Sequence, residues 1–582
     1  MITTIKIKTT KGIVSVVSAM TLLFSLGSCQ DFLDVQPEDK LVGEQVYNNV
    51  NDADAAVLGI YGKFMGLAEK YVILNEMRAD LMTTTRNSSP YLKQLSEHNE
   101  TTENPYVSPK DFYEVIQNCN DALANFDIML AKKKFKQAEY DQRYADVACI
   151  RSWIYLQLGI HYGTIPYITE PIETLDDVKN PAKYPRIPFD QLIDKLVSFT
   201  ESLNFKKPYP VGTNLVTTVD TYYTGKFFIN KECLLGDLNL WKGDYLQAAK
   251  YYKNVMETAS TSSSQTEQFE GYRMSIFAGS GNNDLLVAYT RSPDVTSLVN
   301  TNTQGWRSMF ARGKDAVWNT EWIWSLPFDS EFAPANPFIK LFSKSSGDYL
   351  VQPSQSAIKM WDSNTQRNGI PYDARGPKFT YKKDGDDAVI MKYLYRYEAA
   401  TDPFVTDGDW FLYRAEKLHL RFAEAANRDG KHRVADAILN IGIRSAYNRG
   451  NLNSSSADVT NAMRTKLPYP YDFDARQGEF PYYRDNWYRG GGVRGRANLP
   501  AAAVVGDSLT SIENNIVNEA ALTLAYEGNR WEDLVRVARR RNDPSFLANK
   551  IFDKLSLEGN AEAANVKAKL MNPNNWYLPF KW

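Results

Sequence analysis

Glu527, Arg530 and Asp533 stand three residues apart in the stretch Glu527-Gly528-Asn529-Arg530-Trp531-Glu532-Asp533. On a helix that spacing would line up acid, base and acid on one face, where each ion pair stabilises by about 0.2–0.5 kcal/mol. A pair of carboxylates can also hydrolyse a glycosidic bond, but the two acids must then lie about 5–9.5 Å apart and come from distant parts of the chain. Spacing alone does not exclude that chemistry; the favoured reading is structural, the three residues tying the helix to its neighbours. The four histidines, His98, His161, His419 and His432, show no H-E-x-x-H arrangement or close pair, so no zinc centre is expected. Asp384-Gly385-Asp386-Asp387 and Asp407-Gly408-Asp409 carry calcium-type ligands without the twelve-residue calcium loop, and read as turns. Arg489-Gly490-Gly491-Gly492-Val493-Arg494-Gly495 lacks the Gly-Lys-Ser/Thr ending of a phosphate loop. No metal and no cofactor is expected.

The most specific chemistry is at the start. Lys6, Lys8 and Lys11 precede the apolar run from Gly12 to Leu26, and Leu26-Gly27-Ser28 leads into Cys29. A basic segment, a short apolar core and small residues at the cut describe a secretory signal. Fifteen residues span only about 22 Å, short of the roughly 30 Å hydrocarbon core, so a spanning helix is the weaker reading. The sequence L-G-S-C resembles a bacterial lipobox, which would make Cys29 the lipid-bearing first residue of the mature chain. Acyl chains would then hold a folded domain at a membrane, each buried CH₂ contributing about 0.8 kcal/mol. Cys119, Cys149 and Cys233 remain; three is an odd number, so at least one thiol stays unpaired, and no C-x-x-C occurs. Cys149 and Cys233, in helix-like segments, are expected to pack as small apolar groups, and no disulfide framework is expected.

These residues must be carried by a large core. Of 582 residues, 43% are hydrophobic and 13% aromatic, enough to bury an extensive interior. Sixty-seven basic and 69 acidic residues leave a formal charge of −2, too little field for general nucleic-acid binding. Val147, Ile150, Ile154 and Leu158 recur at helical spacing across Arg143 to Tyr162, stopping at Gly163 with Pro166 beyond. Phe189 to Phe199, Lys226 to Trp241 and Tyr245 to Met256 repeat the pattern. Lys242-Gly243-Asp244 joins the last two, and five residues past the glycine comes Ala248; Gly430 and Ala435 repeat that relation within Asp409 to Asn440. Glycine permits the tight turn and alanine the close approach of two helices, as in tetratricopeptide pairs. Helix is expected again from Ile512 to Arg541. Asn282 to Tyr289 and Phe379 to Leu394 read as short strands, and Asn451 to Ser511 as an ordered but irregular layer.

Taken in order, four stretches resemble one family. Cys29-Gln30-Asp31-Phe32-Leu33-Asp34, with Pro37 close behind, is similar to the start of SusD/RagB-type outer-membrane lipoproteins. Leu158 through Pro166 resembles that family's Y-x-x-L-x-x-x-Y-G-x-x-P stretch. Arg414-Ala415-Glu416 with Arg421 to Ala425 resembles its R-L-A-E-x-x-L-x-x-A-E-A helix, and Glu519 with Ala525 to Arg536 resembles E-L-A-F-E-G-x-R-x-x-D-L-x-R. Ala520 departs from it, standing where the family usually has arginine.

The resemblance implies a mainly α fold of tetratricopeptide-like helical pairs forming a platform, with an irregular, loop-rich subdomain carrying few short strands. Residues 1–28 would be the signal peptide and 29–582 a single unit. Its helical scaffold would occupy about 40–260, 405–450 and 512–582, and its ligand- or partner-facing parts about 70–110, 261–400 and 451–511. It further implies no enzyme, but a lipid-anchored protein on the cell surface at the outer membrane. Such a protein captures oligosaccharides, less often oligopeptides, for a SusC-like TonB-dependent transporter. A lipid-anchored glycoside hydrolase is the remaining alternative. If sugar is the ligand, flat aromatics would stack on its C–H faces while amides, carboxylates and arginines bind its hydroxyls. Trp306, Trp318, Trp322 and Trp324 crowd into one short stretch with Phe310, Phe328 and Phe332. Either ligand or core would use them. The family's N-terminal third also contributes to its site, which brings in Arg78 and Asp80, able to fork onto vicinal hydroxyls or, equally well, to form an internal salt-linked turn, and Tyr91 in Asn87-Ser88-Ser89-Pro90-Tyr91. Tyr469, Tyr471, Tyr482, Tyr483, Trp487 and Tyr488 form a further aromatic set for ligand or transporter.

Overall fold

The computed structural model describes residues 46–172, 181–219, 222–256, 305–311, 321–367, 369–398, 403–447, 465–473 and 492–581. Cys29, Asn282 to Tyr289, Trp318, Tyr482, Tyr483, Trp487 and Tyr488 lie outside them. Helices dominate, with strands only in short pairs, the mainly α class expected.

The N-terminal part contains α1 (Val50–Met65), α2 (Ala68–Glu76), β1 (Met82–Thr84), α3 (Pro90–Ser96), α4 (Lys110–Ala131) and α5 (Gln137–Tyr162). The first hairpin β2 (Ile165–Pro166) and β3 (Arg186–Ile187) follows, then α6 (Phe189–Ser202), β4 (Thr218–Val219), β5 (Tyr222–Tyr223), α7 (Lys231–Lys242) and α8 (Tyr245–Met256). The middle holds α9 (Gly305–Ala311), β6 (Trp322–Phe328), α10 (Pro337–Phe342), β7 (Val351–Pro353), α11 (Gln355–Asp362), β8 (Tyr381–Asp384), β9 (Asp387–Ile390), α12 (Tyr395–Glu398) and β10 (Gly408–Arg414). The C-terminal part is α13 (Ala415–Arg428), α14 (His432–Asp436), α15 (Gly442–Tyr447), α16 (Val493–Arg496), α17 (Ser508–Thr523), α18 (Arg530–Arg541), α19 (Ser545–Leu557) and α20 (Ala563–Leu570).

Neighbouring helices pack in a row: α4 on α5, α5 on α6, α6 on α7, α7 on α8, α8 on α13, α13 on α17, and α18, α19 and α20 in turn. The α7–α8 turn has the predicted chemistry. Gly243 caps α7 in the left-handed region at φ +91°, and Ala248 is fully buried where α8 returns. Gly430 turns α13 into α14 in the same way, at φ +73°, and Ala435 is likewise buried. The second pair is preceded by a strand, not by helix. Asp409 to Arg414 pairs antiparallel with β6, from Gly408 opposite Phe328 to Arg414 opposite Trp322. Trp410, Phe411 and Tyr413 favour a pleated, packed surface, and tertiary pairing overrides the helical spacing.

That ribbon is where the aromatic content goes. Phe64 stacks on Trp410 at 4.9 Å and on Trp324 at 5.6 Å, with Trp153 edge-on to it at 5.1 Å. The rings join α1, α5, β6 and β10 in one cluster. Such pairs contribute about 0.5–1.5 kcal/mol each beyond the area they bury. Cys119, Cys149 and Cys233 are buried free thiols on α4, α5 and α7, and burial pushes the first two up to about 12. They serve as small apolar groups.

Helix does not run unbroken from Ile512 to Arg541. It stops at Thr523 and restarts at Arg530, because Tyr526 and Gly528 adopt φ +69° and +80°. A Cβ at Gly528 would lie 2.3 Å from the Tyr71 ring, so glycine is required there by space as well as by backbone. The restart is held by Glu76, fully buried at the end of α2: its Oε1 accepts from the Gly528 and Asn529 amides at 2.8 and 3.0 Å. A side-chain acceptor on otherwise orphaned amides is a cap supplied from another helix.

The break also separates the acids and bases of this stretch. Glu527, Arg530 and Asp533 do not pair with one another; two of the three bind only other elements, and Asp533 also meets Arg536 of its own helix, which ties this stretch to its neighbours as their structural reading holds. Glu527 accepts from Arg414 Nε at 2.9 Å and Lys392 Nζ at 2.7 Å, Arg530 grips Asp80 in a fork at 2.6 and 2.8 Å, and Asp533 meets Arg421 and Arg536. Arg414, at the junction of β10 and α13, also contacts Glu321 at 2.9 Å, Glu416, and the Thr523 carbonyl at 2.7 Å. Arg496 of α16 reaches the same two acids, Glu321 at 3.1 Å and Glu416 at 2.9 Å. A second knot joins α13 to α18: Arg536 forks onto Glu424 at 2.8 Å, Arg540 adds 2.6 Å, and Arg421 binds Glu532 and Asp533. Burial alone would raise the Glu416 and Glu527 carboxyls; the Arg414 guanidinium overrides it and holds both below the usual range.

Two predictions follow from these charges. Arg414→Met removes the cation from between three buried carboxylates, and a buried pair broken on one side costs about 3–5 kcal/mol. Urea unfolding is expected to show a loss of that order; a change below about 1 kcal/mol would mean that the cluster is dispensable. Glu76 is different, since burial pushes its carboxyl up to about 8. The folded chain therefore keeps a proton there that the unfolded chain releases, and this site's contribution to stability falls as pH rises from about 4.5 to 8. Glu76→Gln keeps the acceptor and abolishes the titration. Its stability relative to wild type should rise by a few kcal/mol between about pH 5 and 8; a flat difference in denaturant melts refutes the assignment.

Candidate functional site

Most of the residues that chemistry marked as ligand-facing are internal. Arg78 and Asp80 follow α2 in a turn that is wholly enclosed, at 0% and 2% exposure. Arg78 lies flat over the Trp531 ring at 4.2 Å and directs Nη1 to His161 Nδ1 at 3.3 Å and Nη2 to the Trp576 carbonyl. Burial lowers it to about 10, and burial and the Arg78 charge together push His98 and His161 well below the ordinary imidazole value. Burial would raise Asp80, but Arg530 overrides it and holds the carboxyl at about 2. Of the two readings, hydroxyl fork or internal salt link, the enclosed Asp80 carboxylate takes the salt link, to Arg530, because a buried charge must be neutralised within the fold.

Trp306 and Trp322 are also interior, 5% and 4% exposed. Trp322 stacks on Phe411 at 4.5 Å and donates its indole N–H to the Met309 carbonyl at 2.9 Å, while Trp306 packs beneath the Arg496 guanidinium at 5.6 Å. Every described tryptophan except Trp241 is buried. Large rings concentrate where area can be buried, and the ribbon β6–β10 offers more of it than any exposed face. In the third aromatic set Tyr471 is buried and donates to Asp429 at 2.8 Å, and Tyr469 is 42% exposed beside Asn254.

Tyr91 differs: the residue is 40% exposed. Thr84 pairs with Val351 at the edge of β1 and β7, and the chain then leaves the sheet through Thr85 to Tyr91. Thr85 Oγ1 donates to the Tyr349 carbonyl at 2.5 Å, Asn87 Nδ2 to the Asp348 carbonyl at 2.9 Å, and Ser88 Oγ to the Leu350 carbonyl at 2.5 Å. Ser89 caps α3, with Pro90 at its first turn, where proline's fixed φ suits the helix and no amide is missed. Asn104 Nδ2 donates to the Tyr91 carbonyl at 2.9 Å. The loop is thus fixed by polar side chains onto backbone.

Beside this loop, the β8–β9 hairpin brings Asp387 to Arg86 at 3.2 Å, and Lys344 bridges Asp384 and Asp387 at 3.0 and 2.8 Å. Asp384 to Asp387 is the hairpin turn, and Lys344 and Arg86 neutralise Asp384 and Asp387. Asp407 and Asp409 are held by Arg396 at 3.6 and 2.7 Å. Among the described residues, no group of three or more His, Cys, Asp or Glu is placed to hold a metal ion. The face carries one exposed aromatic ring, an exposed guanidinium and an amide on a rigid loop. That composition can stack on one apolar surface and hydrogen-bond around it. Arg86 was missed from sequence, and Asn87 entered only with the stretch leading to Tyr91; only the fold makes Arg86 a neighbour of a hairpin 300 residues on.

Residues 31–202 match the SusD-like family described as "Starch-binding associating with outer membrane". The chain is 22% identical to SusD-like protein P38 of Formosa agariphila over 539 residues, 88% of this chain and 90% of that one. Among solved structures, surface glycan-binding protein A of Bacteroides uniformis superposes with a TM-score of 0.55 at 16% identity, covering 91% of this chain and 96% of the other. A laminarin-binding SusD-like protein does so at 0.52 and 16%, covering 89% and 96%. At these identities the structures show a shared fold. The chain is thus similar to SusD-like proteins, through a family match over residues 31–202 and a relative that aligns nearly end to end.

Proposed function

We propose that this protein is a cell-surface lipoprotein that captures glycans and delivers them to a SusC-like TonB-dependent transporter in the outer membrane. The observation that carries the reading is where the family match begins. It starts at Asp31, two residues after Cys29 of the lipobox-like L-G-S-C, so a lipid on that cysteine would tether the SusD-like fold directly. No helix among the described residues is long and apolar enough to cross a membrane, which agrees with attachment through a lipid. Relatives named for glycan and laminarin binding favour saccharide as the ligand. The Arg86–Asn87–Tyr91 face has the chemistry for it, a ring for the C–H surface of a sugar and polar groups for its hydroxyls. Binding without hydrolysis fits the acids of the interior: Glu416, Glu527, Glu424 and Asp533 are each tied to arginine, so none of these is free to serve as a nucleophile or proton donor.

Purified protein titrated calorimetrically with starch and laminarin fragments is expected to bind at least one and to release no reducing ends. Tyr91→Ala should weaken that binding by up to about tenfold, from the 0.5–1.5 kcal/mol that a stacked ring contributes. Retention of oligopeptides and of no glycan would transfer the reading to peptide capture, and reducing ends released by the protein alone would make it a glycosidase. Separately, Cys29→Ala is expected to move the protein from the outer-membrane fraction to the soluble fraction of producing cells; unchanged membrane recovery would refute the anchor.

A further inference from the structure

A cleft of about 380 Å³ opens between α11, α17 and α19, with the segment after α16 along one side. It shares no residue with the Arg86–Tyr91 face, and its volume is in the range of small-molecule sites. Two features set it apart from other polar contacts of the fold. Lys550 and Asp553, three residues apart on α19, both line it, yet no ion pair joins them. Lys550 is half-buried and makes no hydrogen bond among the described residues; its ammonium lies 5.5 Å over the Phe546 ring. Burial lowers its pKa, and the nearby Arg530 charge adds to that. The surrounding arginines, by contrast, are saturated: Arg530 by Asp80, and Arg494 by Glu519 at 3.2 Å and Asn364 Oδ1 at 2.8 Å.

The open groups are mixed in kind. Lys550 supplies donors and Asp553 acceptors, Asn518 and Ser356 supply both, and Met360 and Leu522 provide apolar surface between them. The charges lining the cleft balance, Lys550 and Arg494 against Asp80 and Asp553, so neither a phosphate nor a polyamine gains a net field there. A neutral polyol gains most: adjacent hydroxyls can donate to Asp553 and accept from Lys550 while a C–H face rests on Met360 and Leu522.

We propose that this cleft is a second saccharide site, taking a short neutral sugar independently of the Tyr91 face. It rests on the reading of the protein as a glycan binder. Two saccharide sites on one chain would hold a polymer at two points and raise its apparent affinity with no new contact.

The test uses the full-length protein with maltose and laminaribiose as probes, read by hydrogen–deuterium exchange and calorimetry. One of the disaccharides is expected to slow exchange in segments 355–364, 515–523 and 548–555. Lys550→Met and the cleft-filling Ser356→Trp should each weaken it tenfold or more, with thermal midpoints unchanged. If the wild-type protein binds polymer but neither disaccharide protects these segments, or if Ser356→Trp binds as wild type does, the second site is refuted and glycan capture stands. If neither polymer nor disaccharide binds, both readings fall.

Discussion

Arg414 stands where a strand becomes a helix, and it is surrounded on every side by carboxylates and carbonyls that come from elsewhere in the chain. Glu321 arrives from before β6, Glu416 from α13, Glu527 and the Thr523 carbonyl from the break between α17 and α18. Each is buried, and each would be left as an uncompensated charge or dipole by a shift of its neighbour. An ion cluster of this kind is weak evidence of net stability, because taking the charges out of water offsets much of their attraction. Its effect here is on register. Helices can slide over apolar surface at small cost, but three acids converging on one guanidinium allow a single arrangement. The knot of Arg421, Arg536 and Arg540 on Glu424 and Asp533 repeats the constraint about two turns further along α13, against α18.

The aromatic cluster depends on that registration. Trp410 can stack on Phe64 only if β10 is held against α1 and α5, and β10 ends at Arg414. Of the described rings that looked suited to sugar, Trp306, Phe310, Trp322, Trp324 and Phe328 are thereby committed to the interior, while Phe332 is exposed. What reaches the surface in the described residues is chiefly polar, on loops fixed by side-chain to backbone hydrogen bonds. Recognition would then rest on hydroxyl-directed groups with few stacking platforms, in the Tyr91 face as in the cleft beside Lys550. A binder that hands its ligand onward is served by such moderate, distributed contacts, since a site that holds too tightly releases slowly.

Capping ties the N-terminal part into the same framework. Glu76 closes the start of α18, Arg530 at that start holds Asp80, and Lys554 of α19 donates to the Met77 and Ala79 carbonyls at 3.0 and 3.1 Å. The turn between α2 and β1 is thereby positioned by residues more than 400 positions away, and the Tyr91 loop extends from it.

The sequence by itself determined the helical class, the α7–α8 turn at Gly243, the stop at Gly163 and the likeness to SusD-like proteins, because these rest on local properties: the period of apolar residues, the backbone freedom of glycine, and motifs read along the chain. It did not determine which side chains face outward. Arg78, Asp80, Trp306 and Trp322 have the composition of a sugar site, and composition is the same whether a ring meets a ligand or another ring. Nor could it separate Glu527, Arg530 and Asp533, whose local spacing favours one another while distant Arg414, Asp80 and Arg421 win them. Only the tertiary structure decided these points, since burial and charge pairing are settled by elements hundreds of residues apart, and desolvated charges take whichever partner the packing brings within reach.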